Sequence, residues 1–80
     1  MPKLKRLTVK QVLAILTQFG FVIASQRGSH IKLTRVVQGQ KQILTIPNHT
    51  ELDTGTSKAI MRQASRYISS EELYLHFYSE

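Results

Sequence analysis

The sequence predicts an α+β domain in which a three-stranded antiparallel meander is covered on one face by two helices and left open on the other. Three observations lead there: apolar residues at helical spacing near both ends, alternating apolar residues between them, and two glycine turns inside the alternating stretch. Gly28-Ser29 fits a two-residue hairpin loop whose first residue needs a positive φ. A second loop, Gly39-Gln40, follows eleven residues later. The strand between them is therefore paired on both sides, and His30 stands at its start.

Each element has its own signal. Residues 1–7 form a basic arm without a periodic apolar face and are expected to be mobile. Over residues 8–19, Thr8 can cap a helix whose Val9, Val12, Leu13, Leu16 and Phe19 share a stripe, and Gly20 can end it in a left-handed conformation. Residues 21–47 give the meander, with strands over 21–27, 30–37 and 41–47. Two-residue loops then set Arg27 opposite His30, Leu33 opposite Ala24 and Ile46, and His30 opposite His49. Alternation assigns Val22, Ala24, Ile31, Leu33, Leu44 and Ile46 to the core face. Arg27, His30, Lys32, Thr34, Thr45 and His49 fall on the open face, which Phe21 and Ile23 suit poorly.

After a polar linker from Asn48 to Thr54, Asp53 or Thr54 can cap a helix over 56–66 with Ala59, Ile60 and Ala64 inward and Lys58, Arg62 and Arg66 outward. Ser69-Ser70-Glu71-Glu72 reads as a capping box opening a short helix over 70–78.

A chain of 80 residues is one domain that buries only about 60% of its unfolded surface, which favours chemistry on a shallow surface over a deep pocket. With no cysteine, disulfides and thiolate chemistry are excluded, and a reducing compartment, the cytoplasm, is expected. No apolar run approaches the ~20 residues of a membrane span, nor does the start resemble a secretory signal. Lys and Arg outnumber Asp and Glu 11 to 5, and every acid lies at Glu51 or beyond. Lys3, Lys5, Arg6, Lys10, Arg27, Lys32, Arg35 and Lys41 thus have no counter-charge within residues 1–50, a field that attracts a polyanion. Nucleic acid is the leading partner; the alternative is a solvated basic surface that binds nothing specific.

His30 is the sharpest chemical candidate, because it lies on the open face of a central strand, beside a glycine turn and among cations. A histidine there can act as a general base. In RNA cleavage it would take the proton from a 2′-hydroxyl, which attacks the adjacent phosphorus without a metal, while Lys32 and Arg27 hold the phosphate. It can equally be an ordinary surface histidine. His49 could supply the acid if the cross-strand pairing holds, or could simply be a turn residue. Arg27, Gly28, Ser29, Lys32, Lys41, Lys5 and Arg6 are the candidate RNA contacts. Three scattered His without Cys give no metal-ligand spacing, so no metal or other cofactor is expected. Ser29 lacks the orienting partners of a nucleophile.

Four ordered blocks carry a family likeness: Gly20-Phe21, Gln26-Arg27-Gly28-Ser29-His30, Ile46-Pro47-Asn48-His49, and Gly55-Thr56 followed by Ile60-Met61-Arg62-Gln63-Ala64. Over about residues 4–78 the chain resembles the HicA toxins of toxin-antitoxin pairs. The resemblance implies a fold like the double-stranded-RNA-binding domain (α-β-β-β-α), mRNA-cleaving ribonuclease activity that depends on the histidine of the Gly-Ser-His block, here His30, and neutralisation by a HicB antitoxin. Two features depart from the pattern: a longer, more apolar strand end at Val36-Val37-Gln38, and an aromatic tail from Tyr74 to Tyr78. A non-catalytic RNA-binding domain is the alternative function, and a DNA-binding module is disfavoured because neither helix shows a basic recognition face with the usual turn.

Overall fold

A computed structural model of the chain describes residues 3–79. The element order is β1 (Lys3–Leu4), α1 (Val9–Gln18), β2 (Val22–Arg27), β3 (His30–Val37), β4 (Gln40–Pro47), α2 (Thr54–Ala64), α3 (Ser70–Phe77) and β5 (Tyr78–Ser79). The α1-β2-β3-β4-α2 core is the expected double-stranded-RNA-binding-domain-like arrangement, with α3 added at the end.

Local chemistry fixes the helix ends. Thr8 Oγ1 accepts the Gln11 N–H at 3.2 Å while Gln11 Oε1 accepts the Thr8 N–H at 2.9 Å, a complete capping box at the start of α1. At its end Gly20 takes φ +93°, Phe21 N–H reaches Leu16 O and Gly20 N–H reaches Thr17 O, closing a Schellman motif. Asp53 caps α2 by accepting the Thr56 N–H at 2.7 Å, which starts that helix two residues before the expected Thr56. The Thr56 backbone and side chain hold the Asp53 carboxyl below its ordinary pKa, with smaller help from His49. Ser69 caps α3 through the Glu72 N–H.

The sheet has the order β2-β3-β4. Its faces agree with the alternation for β3 and β4, where Ile31, Leu33, Leu44 and Ile46 are all buried. The pairing partners differ from expectation. The second turn is Gln38-Gly39, with φ +51° and +79°, and not Gly39-Gln40. Two consecutive positive φ values suit the tight right-twisted hairpin. Moving the turn by one residue moves every partner by two, so Leu33 meets Leu44 and His30 meets Pro47 instead of Ile46 and His49.

In β2 the ladder slips between Ile23 and Ser25, where Ala24 is the bulged residue. The bulge exchanges the two faces upstream of it. Ile23 comes to lie opposite Leu33 on the inner side, yet at this edge it stays 56% exposed, and beyond it Phe21 is fully buried; Val22, opposite Thr34, turns to the open face and is 60% exposed. Val22 and Ala24 are therefore not core residues; both are exposed.

One apolar cluster unites Val12, Ile15 and Leu16 of α1, the four inward residues of β3 and β4, Ile60 and Ala64 of α2, and Leu73 and Phe77 of α3. All three helices thus cover one side of the sheet. Ala59, expected inward, is exposed.

Described residues of the basic arm are fastened, contrary to the expected mobility; Met1 and Pro2 lie outside the described residues. Leu4 pairs with Tyr78, Lys5 N–H reaches Phe77 O at 2.8 Å, and Leu7 is buried while its carbonyl accepts the Leu52 N–H. Leu4 is half-buried against the core and Leu7 is buried in it, while Lys5 and Arg6 between them are exposed.

Arg35 points to the inner side of β3, not to solvent. Its guanidinium donates to Phe19 O at 2.6 Å, to Tyr67 O at 2.9 Å and to Gln42 Oε1, and it lies 4.7 Å from the centre of the Phe21 ring. The two carbonyls follow the C-terminal ends of α1 and α2, where backbone acceptors are left without helical partners and a cation is favoured.

Candidate functional site: the open face of the sheet

The site begins at the Arg27–His30 hairpin. Gly28 has φ +53°, as the two-residue loop requires, and Ser29 O accepts the Asn48 N–H at 2.6 Å. That bond ties the hairpin tip to the chain leaving β4, so the start of β3 is held from both neighbouring strands.

Directly opposed residues in an antiparallel ladder share a face, with Cα atoms about 4.5–5.5 Å apart. The rows of the open face follow from the register. First come Arg27, His30 and Pro47; next Ser25, Lys32 and Thr45; then Val22, Thr34 and Ile43; and at the far end Val36 opposite Lys41. His30, Arg27 and Lys32 are all exposed. The hairpin end is therefore cationic, whereas the opposite end presents Val22, Ile43 and a 68% exposed Val36.

Of the predicted site residues, the fold brings together Arg27, Gly28, Ser29, His30 and Lys32. Lys41 is on the same face but six residues along β3 from His30, about 20 Å away at the rise of a strand. Lys5 and Arg6 lie off the sheet, lining a cavity of about 300 Å³ with Leu7, Glu51 and Asp53. His49 does not pair with His30. It follows the end of β4 on the loop to α2, exposed and near enough to Asp53 to help lower that carboxyl's pKa. Pro47 takes the place expected for His49 because the second turn is one residue earlier. His76 packs edge-on against Phe19 at 5.4 Å, and Tyr74 stacks on Tyr78 at 4.4 Å, so this part of the tail packs on neighbouring side chains.

Two contributors were not anticipated: Asn48, whose backbone fastens the hairpin, and Gln63 of α2. Gln63 Oε1 accepts the Thr45 N–H at 2.8 Å and its Nε2 donates to Thr45 O at 3.1 Å, so the side-chain amide acts as a strand partner on the free edge of β4. The Ile60-Met61-Arg62-Gln63-Ala64 block was visible as a motif, but its contact across eighteen residues was not.

An exposed imidazole on a rigid strand, with a guanidinium opposite and an ammonium in the next row, can exchange a proton and hold an anion at an open surface suited to a polymer. Among the described residues, no three His, Asp or Glu side chains converge. Residues 9–65, from the first residue of α1 to the C-cap of α2, match the family described as HicA toxin of bacterial toxin-antitoxin. The chain belongs to the HicA toxin family. As a HicA protein it is the toxin of a toxin-antitoxin system and has a cognate antitoxin. The matched span contains the whole hairpin and both flanking helices, so the site described above is part of the HicA match. Comparison with curated proteins and with solved structures returned no match. No helix among the described residues is long and apolar enough to cross a membrane.

Proposed function

We propose that this HicA protein is a metal-independent endoribonuclease that cleaves mRNA in the cytoplasm with His30 as general base, and that a HicB-like antitoxin silences it by covering the open face. The observation that carries the reading is the position of His30, exposed on the central strand between Arg27 and Pro47 with Lys32 in the next row.

His30 accepts the proton of a 2′-hydroxyl as the 2′ oxygen forms a bond to the adjacent phosphorus. The bond from phosphorus to the 5′ oxygen breaks, and that oxygen leaves as a hydroxyl after taking a proton from water or from the imidazolium. Arg27 and Lys32 offset the charge that grows on the phosphoryl oxygens. The exposed cations Arg27 and Lys32 at this end of the sheet also suit an acidic inhibitor, whose field would speed association and exclude RNA together.

Analysis of product ends tests this chemistry. The expected 5′ fragments end in a 2′,3′-cyclic phosphate, and DNA of the same sequence stays whole. Fragments ending in a 3′-hydroxyl, or cleavage of the DNA, would rule out the 2′-hydroxyl as nucleophile.

A further inference from the structure

The hairpin site uses the cations of β2 and β3 and leaves a second group unexplained. Lys58, Arg62 and Arg66 recur at intervals of four, all exposed, and no Asp or Glu occurs between Asp53 and Glu71. Arg66 lies just past α2, but the chain keeps turning: Ser65 has φ −66° and ψ −10°, its N–H reaches Met61 O, and Arg66 N–H reaches Gln63 O. Four residues advance a helix by about 6 Å and return to nearly the same side. The result is a row of cations spaced like successive phosphates on one strand.

Like charges at this interval repel and destabilise a helix. The helix dipole offsets that for Arg62 in the last turn, but not for Lys58 near the middle. Beside the row runs a shallow groove of about 290 Å³, lined by Ala59, Arg62, Gln63 and Arg66. Exposed Ala59 leaves room at its base. Its Gln63 wall is fixed to the backbone of Thr45, and Thr45 stands opposite Lys32 on the open face, in the row next to His30. The row and the hairpin site therefore share the β4 rim.

We infer that Lys58, Arg62 and Arg66 form a second phosphate track that binds the RNA backbone away from the bond being cut and sets affinity for long RNA. This inference rests on the reading of the protein as an RNA-cleaving toxin. A protein partner is less suited to the groove, because its lining offers no aromatic or large apolar side chain to pair with its two arginines as an anchor, and the exposed Val22, Val36, Ile43 and Leu75 lie on the sheet face and α3 instead.

The test uses the full chain with His30→Ala, so that RNA stays intact, and compares it with the same chain also carrying Lys58→Gln, Arg62→Gln and Arg66→Gln. Binding of a long unstructured RNA, read by fluorescence anisotropy across a salt series, should weaken about tenfold or more, and the slope of log K against log salt should become shallower by about 2. Lys58→Arg with Arg62→Lys and Arg66→Lys should retain the parent slope. In the active protein, the triple glutamine change should raise KM for long RNA, with the loss appearing there and not in kcat. An unchanged slope and affinity would overturn the track while leaving the hairpin reading standing. Failure of the His30→Ala parent to bind RNA would overturn both. Unchanged RNA binding with lost antitoxin binding would make the row a protein surface and also overturn the track.

Discussion

The same strands make both faces of the sheet, yet the faces are held by different physics. On the inner face Ile31, Leu33, Leu44 and Ile46 are buried in one cluster with three helices, and even the cation there, Arg35, is committed to the fold through Phe19, Tyr67, Gln42 and the Phe21 ring. On the outer face Arg27, His30 and Lys32 are exposed and carry no comparable packing role. Charge counted along a sequence does not distinguish the two kinds of arginine. Their register does, because Arg35 follows Leu33 by two and Arg27 stands opposite His30.

The contrast is broken most directly by removing each arginine in turn. Arg35→Leu leaves two helix-end carbonyls without their charged donor and should cost about 3 kcal/mol, a fall in Tm of roughly 10–20 °C. Arg27→Leu should change stability by no more than about 0.5 kcal/mol while weakening RNA binding. Thermal melts of the two variants check the pair; equal losses would erase the distinction between the faces.

A smaller effect sharpens the account of the sheet's two edges. The β4 edge is closed at Thr45 by Gln63, whereas β2 is exposed along its whole length and carries the Ala24 bulge, a feature that discourages edge pairing. Gln63→Ala should cost about 1 kcal/mol and speed hydrogen exchange at the Thr45 amide. Unaltered exchange there would show that the amide clamp does not protect the edge.

The smallest effect concerns Asp53. Its carboxyl is lowered in the folded chain, so it contributes stability above its unfolded pKa and loses that contribution as pH falls through the folded value, below about pH 4. Tm measured down an acid series should fall less steeply for Asp53→Asn than for the wild type. Parallel curves would contradict the cap's role in acid sensitivity.

How much was legible follows from which forces are local. Thr8 at the helix start, Gly20 at its end, and Gly28 at the hairpin are signals contained within one turn of chain, and each acts as read. The inner faces of β3 and β4 were also legible, because a shift of two partners preserves alternation even though it replaced His49 by Pro47 opposite His30. The Ala24 bulge, the inward guanidinium of Arg35 and the pairing of Leu4 with Tyr78 depend on contacts between distant segments, which periodicity does not encode. At the site the hairpin residues were legible as a local motif. The Gln63 clamp was not, since it depends on where α2 lies beside β4.

The most direct test of the central claim is cleavage of an mRNA-length transcript in EDTA by the wild type and by His30→Ala, with fragments resolved on a denaturing gel. Fragments are expected from the wild type alone, while the variant remains folded and retains RNA binding. Equal cleavage by both proteins would remove His30 from the chemistry. No cleavage by either, with both retarding the RNA on a native gel, would make the protein a binding domain and contradict the account.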